Sequence, residues 1–220
     1  MRKSLAAIFT VSALAAADAT AQETLRAGKA ELSLSPLFTA AKNSNFPNGA
    51  SAKSDSATGF GIQWAYNFDD HWSAGIEGAF SGVDYAGNAA PAVGNNNPAI
   101  AFNAHAETTT LRMAMTYNII TAQFTPFVTV GAGLTRIDTN VPNGAVPGCF
   151  WYPYWGQVCN DVPARILTEF SYSAAVGVRY DLRSQPVFFR AAYNREWINF
   201  GGSTGSLPYD QLRFDLGVRY

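Results

Sequence analysis

The feature that most constrains this chain is a repeated alternation, with apolar side chains at every second position in runs of about ten residues. Its last ten residues show it in full. Leu212, Phe214, Leu216, Val218 and Tyr220 share one face, and Gln211, Arg213, Asp215, Gly217 and Arg219 share the other. Such a strand could end a soluble sandwich, but there it would leave an open edge. It could equally close a membrane barrel, which has no edge.

Seven further segments carry the pattern. In 27–38, Ala30, Leu32, Leu34 and Phe38 oppose Lys29, Glu31, Ser33 and Ser35. The second sets Phe60, Ile62, Trp64, Tyr66 and Phe68 against Gly59, Gly61, Gln63, Ala65 and Asn67. The third, 72–85, sets Trp72, Ala74, Ile76 and Phe80 against Ser73, Gly75, Glu77 and Ser81. Leu111 to Ile119, Val128 to Leu134, Phe170 to Tyr180 and Phe189 to Trp197 supply the remaining four apolar faces. The connections alternate in length. Segments 42–56, 86–106, 138–164 and 201–208 read as long loops, and 69–71, 121–124 and 181–186 as short turns. These signals predict an all-β fold, an eight-stranded antiparallel up-and-down transmembrane β-barrel. Short turns and both termini then face the periplasm, and long loops face outside.

Arg2 and Lys3 precede an apolar run, and Ala19-Thr20-Ala21 follows as a small-x-small cleavage site. Residues 1–21 therefore read as a secretory signal peptide and 22–220 as the barrel domain. Without Arg2, Lys3 and Asp18, the 15 basic and 16 acidic residues become 13 and 15, a net charge of −2. That balance argues against nucleic acid as a partner.

The apolar faces are almost free of charge, as a lipid-facing surface must be, since Arg or Lys at mid-bilayer costs roughly 2–4 kcal/mol. The opposite faces carry Lys29, Glu31, Glu77, Arg112, Glu169, Arg179, Arg190, Glu196, Arg213, Asp215 and Arg219. An eight-stranded barrel is just wide enough for side chains to fill. Charges buried there need partners, so a lumenal network of Arg–carboxylate pairs is expected, closing the barrel to bulk diffusion. A narrow solute channel is the alternative. Phe68, Trp72, Tyr117, Phe124, Tyr180 and Tyr220 gather at the periplasmic strand ends, and Tyr85, Trp197, Phe200 and Tyr209 at the outer ends, as interfacial girdles would.

Cys149 and Cys159 bracket Phe150, Trp151, Tyr152, Tyr154 and Trp155. In an exported chain this spacing reads as a loop disulfide. The aromatics form either a constrained binding patch for host or surface ligands or a self-packed cap over the barrel mouth. His71 reads as a solvated turn residue, and His105 as a loop residue, because no nucleophile is grouped with it in the sequence. No enzymatic activity, metal or cofactor is expected.

The segment Ala65-Tyr66-Asn67-Phe68-Asp69-Asp70-His71-Trp72-Ser73 is similar to the short-turn pattern of OmpA-like and opacity-type porin-family barrels. Thr125-Pro126-Phe127-Val128-Thr129-Val130-Gly131-Ala132-Gly133 resembles one of their strands, and Asp215-Leu216-Gly217-Val218-Arg219-Tyr220 their closing strand. The resemblance implies a surface protein of the Gram-negative outer membrane, in contact with membrane lipid and lipopolysaccharide. It also implies that the β-barrel assembly machinery reads the terminal aromatic. It departs from two-domain members in having no peptidoglycan-binding segment after Tyr220. The His71-x-Ser73 pair resembles outer-membrane lipid A deacylases, a minor alternative, but those enzymes place their site at the opposite end of the barrel.

Overall fold

The computed structural model describes residues 24–45, 49–91, 100–140, 149–152, 156–159, 165–199 and 206–220. The expected signal peptide, Tyr154, Trp155 and Phe200 lie outside them.

Eight strands form the wall: β1 (Ala30–Thr39), β4 (Ala57–Asn67), β5 (Trp72–Pro91), β6 (Ile100–Asn118), β7 (Phe124–Asn140), β10 (Arg165–Asp181), β11 (Val187–Asn199) and β12 (Ser206–Arg219). Four short strands accompany them: β2 (Lys42–Asn45), β3 (Ser51–Ser54), β8 (Cys149–Tyr152) and β9 (Gly156–Cys159). Each wall strand pairs antiparallel with the next, and β1 pairs with β12 through rungs such as Leu34 with Leu216, so the sheet is a closed barrel.

The two faces invert the pattern of a water-soluble protein. Leu111 is 62% exposed and Met113 73%, while Glu77 is 2% and Arg179 1% exposed. Large apolar side chains outside and charges inside fit a wall whose solvent is lipid.

Strand replaces loop in parts of three expected loops. Rungs from Ala86–Asn103 to Ala89–Ile100 extend β5 and β6 through much of 86–106. The Ala, Asn and Gly content of 86–106 suggested a loop, yet its inward positions form an apolar core. Tyr85, Ala89, Phe102 and Ala106 are buried together with Ile137 and Ile198. Segment 42–56 folds as β2 and β3, with β3 pairing the outer end of β5. In 138–164, β7 runs on to Asn140 and β8 pairs with β9, while β10 begins at Arg165. Tyr85 and Tyr209 are not girdle residues. Tyr85 is buried in the lumen, and Tyr209 packs against the same inner cluster. Trp197 faces outward, stacked on Tyr172 with ring centroids 5.2 Å apart.

Candidate functional site

The inward alternation of eight strands stacks three levels of side chains in the lumen. The lowest lies at the periplasmic mouth. Arg26, just before β1, is fully buried there. Its Nε donates to Asp181 Oδ2 at 2.8 Å, Nη1 to the carbonyl of Asp70 at 3.0 Å and Nη2 to that of Ala122 at 2.7 Å. One guanidinium thus ties the β4–β5 turn, the β6–β7 turn and the end of β10. Arg179 binds both oxygens of Glu31, at 2.5 and 3.0 Å, and Asp181 at 2.8 Å. Arg219 lies 3.2 Å from Asp181 and donates to the carbonyls of Leu25 and Leu182. Lys29, also expected inside, donates to the carbonyl of Leu25 at 3.1 Å, below the strands.

The middle level is a chain of alternating charges. Glu196 lies 3.3 Å from Arg112, and Arg112 lies 2.5 Å from Glu77. Glu77 also pairs with Arg213. Arg213 is 2.5 Å from Asp215, and Asp215 is 2.7 Å from Arg190. Arg190 donates to Gln63 Oε1 at 2.6 Å and to Ser33 Oγ at 3.1 Å. Ser35 donates to Asp215. Two contacts in this chain are ion pairs without the alignment of a hydrogen bond: Arg112 Nη1 with Glu196 and Arg190 Nε with Asp215. Glu169 is half-buried and makes no ion pair among the described residues.

Phe188, fully buried, stands between the two charged levels. The Arg179 guanidinium lies 4.2 Å from its ring centre and that of Arg190 5.2 Å. Its ring covers Gly217 on the facing strand, as Phe127 covers Gly177. Desolvating so many charges costs several kcal/mol per ion, and only continuous pairing offsets it.

Above Glu196 the lumen turns from charge to hydroxyls. Thr135 donates to Ser171 at 2.8 Å and lies within hydrogen-bond reach of Thr110 and Glu196. Gln211 bridges Asn194 and Thr39. The third level, above these, is the apolar cluster around Tyr85 and Ile137.

Arg26, Asp181, Phe188 and Phe127 were missed by sequence reasoning, and Gln63 was placed on the inner face without a role. Asp181 shares the parity of Arg179, two residues earlier, which was a usable signal. Arg26 lies outside any alternating run and carried none.

The backbone register sets Cys149 directly opposite Cys159 in the β8–β9 hairpin. Ala90 and Pro91 of β5 pair with Trp151 and Phe150, so the hairpin continues the β5–β6 ribbon outward. His71 Nδ1 lies 2.7 Å from the Asn118 carbonyl, in a periplasmic turn. His105 Nδ1 lies 2.6 Å from Asp84, and its facing residues in the sheet are Asp84 and Asn140, neither a nucleophile. In the β4–β5 turn the amides of Trp72 and His71 donate to Asp69 at 2.6 and 2.7 Å. They hold its carboxyl below the usual carboxylate range.

A family model described as outer membrane protein beta-barrel domain matches residues 4–220. No curated protein matches the chain. Among solved structures, the outer membrane protein OprG from Pseudomonas aeruginosa is 16% identical with a TM-score of 0.53, over 90% of this chain and 98% of that one. Ail, the attachment invasion locus protein of Yersinia pestis, solved with the heparin analogue sucrose octasulfate, is 13% identical with a TM-score of 0.47. That match covers 88% of this chain and 99% of Ail.

Proposed function

This chain belongs to the outer membrane protein beta-barrel domain family, an outer-membrane barrel of a Gram-negative bacterium, and from that premise we propose that it is a surface-interaction protein. Its lumen is closed by paired charges, and its outer ribbons and loops are the binding surface, without enzymatic activity. The observation that carries this reading is the continuous chain Glu196–Arg112–Glu77–Arg213–Asp215–Arg190 across the middle of the barrel. It leaves the rim as the place where a partner can be met. The partner site of this reading is the segment with Phe150, Trp151, Tyr152, Tyr154 and Trp155, bracketed by a cysteine pair whose backbone register suits a disulfide. A cross-link there would reduce the entropy lost on binding.

Replacing 150–155 by a Gly/Ser segment of equal length tests this reading. Adhesion of bacteria carrying the variant to host cells should fall to the level of cells without the barrel, while its heat-modifiable migration persists. Unchanged adhesion of a folded variant would contradict the proposal. Outer-membrane lipid and lipopolysaccharide as the surroundings, and the β-barrel assembly machinery as reader of Tyr220, belong to the same proposal. A narrow channel is the second reading, favoured by a small cavity among Glu77, Arg112, Arg190 and Asn194.

A further inference from the structure

We infer that the outer half of the lumen is a dead-end binding cavity for a small amphipathic molecule, apolar in its body and bearing a hydroxyl head. The inference is independent of what the outer ribbons bind. The cavity leaves about 80 Å³ for the centres of water-sized groups, and one such group needs roughly 10–15 Å³, so a short chain of several heavy atoms fits. Its walls are Leu37, Val83, Ile137 and Ile198, with Tyr85 and Tyr209. Its floor is Thr110, Thr135, Glu196 and Gln211.

Two observations argue for an occupant. Protein interiors are close-packed, and the levels below are filled by long side chains. Here Ala57, Ala79 and Ala106 line the same cavity, so small residues keep open a space that larger ones would fill. An apolar space open to water is unfavourable unless something apolar enters it. The floor then selects the head. Glu196 Oε1 lies 3.3 Å from the Thr135 hydroxyl, whose proton goes to Ser171, and 3.5 Å from that of Thr110. Both are long, leaving the carboxylate able to accept a shorter bond from a ligand hydroxyl. A carboxylate head would meet Glu196 as a like charge. Below the floor the Arg–carboxylate chain bars onward passage.

The test uses the full barrel in lipid nanodiscs, with methyl groups labelled on Ile, Leu and Val, titrated with 1-octanol or with octanoate. With 1-octanol, the methyl signals of Ile137 and Ile198 should shift saturably, while lipid-facing Ile62 and Ile76 shift linearly or not at all. Octanoate should bind at least tenfold more weakly. Ala79→Phe, or Ala106→Leu should the first variant not fold, should weaken octanol binding at least tenfold with heat-modifiable migration retained. The proposal is overturned if Ile137 and Ile198 do not respond or only track Ile62 and Ile76. It is equally overturned if the filled variant binds as well as the parent, or if octanoate matches octanol.

Discussion

Glu77 accepts from two guanidiniums at once, and without its charge Arg112 keeps only Glu196 and Arg213 only Asp215 as ion-pair partners. Glu77→Gln removes the charge while keeping the shape, leaving Arg112 and Arg213 buried and under-paired. We expect a loss of about 3–5 kcal/mol, the usual cost of breaking a buried ion pair from one side, read from urea unfolding of the barrel in liposomes. Pairing it with Arg213→Gln should cost less than the sum of the two single changes, because both act on one contact. Gly217 faces Phe188 across β11 and β12, and a Cβ there would collide with the ring. Gly217→Ala should therefore destabilise by roughly 1–3 kcal/mol, as over-packing does. Asp69 gives a pH-dependent counterpart in the periplasmic turn. Its pKa is lowered from 3.8 by the amides of Trp72 and His71. Its contribution is therefore complete above that ordinary value and is lost as pH falls through the lower folded one. Amide exchange at Trp72, corrected for intrinsic rate, should quicken below about pH 4 and be abolished as a pH effect in Asp69→Asn.

Strands differ in how firmly they are held. The β1–β12 ladder omits its rungs at Ser35 and Pro36, where proline has no N–H to donate. The β5–β6 ladder is uninterrupted from Trp72 to Ala89. Amides of Leu37 and Arg213, flanking the gap, should exchange with solvent faster than those of Ile76 and Met113. Equal protection would show that the seam is as stable as the rest of the wall. At the rim, opposed residues in a narrow antiparallel pair stand about 4.5 Å apart at Cα, within disulfide reach. A tryptic digest of unreduced protein should yield Cys149 and Cys159 cross-linked, with two alkylatable thiols appearing only after reduction. The wall strands were legible because lipid on one side and a polar lumen on the other force strict alternation, as in 57–67. The outer ribbons were not. Beyond the membrane the outward face meets water and tolerates polar residues, so Asp84, His105 and Glu107 break the signal although the backbone goes on pairing.

For the whole molecule, the eight-stranded closed wall follows from pattern and loop rhythm, and the family match places it in the outer membrane. The lumenal charges were visible as residues but not as a circuit, since which Arg meets which carboxylate depends on barrel shear, and a single strand does not reveal shear. Arg26 shows the limit most plainly, lying outside any strand and yet buried between Asp181, Asp70 and Ala122. The apolar outer lumen was hidden for the opposite reason, because Tyr85 and Ile137 sit at inward parity where polar residues were expected. The central claim is that the paired charges close the barrel, and single-channel recording in planar bilayers tests it most directly. The parent protein should show no steady conductance at neutral pH, and Glu77→Gln combined with Arg213→Gln should admit brief openings. A large, steady conductance from the folded parent protein would contradict the account.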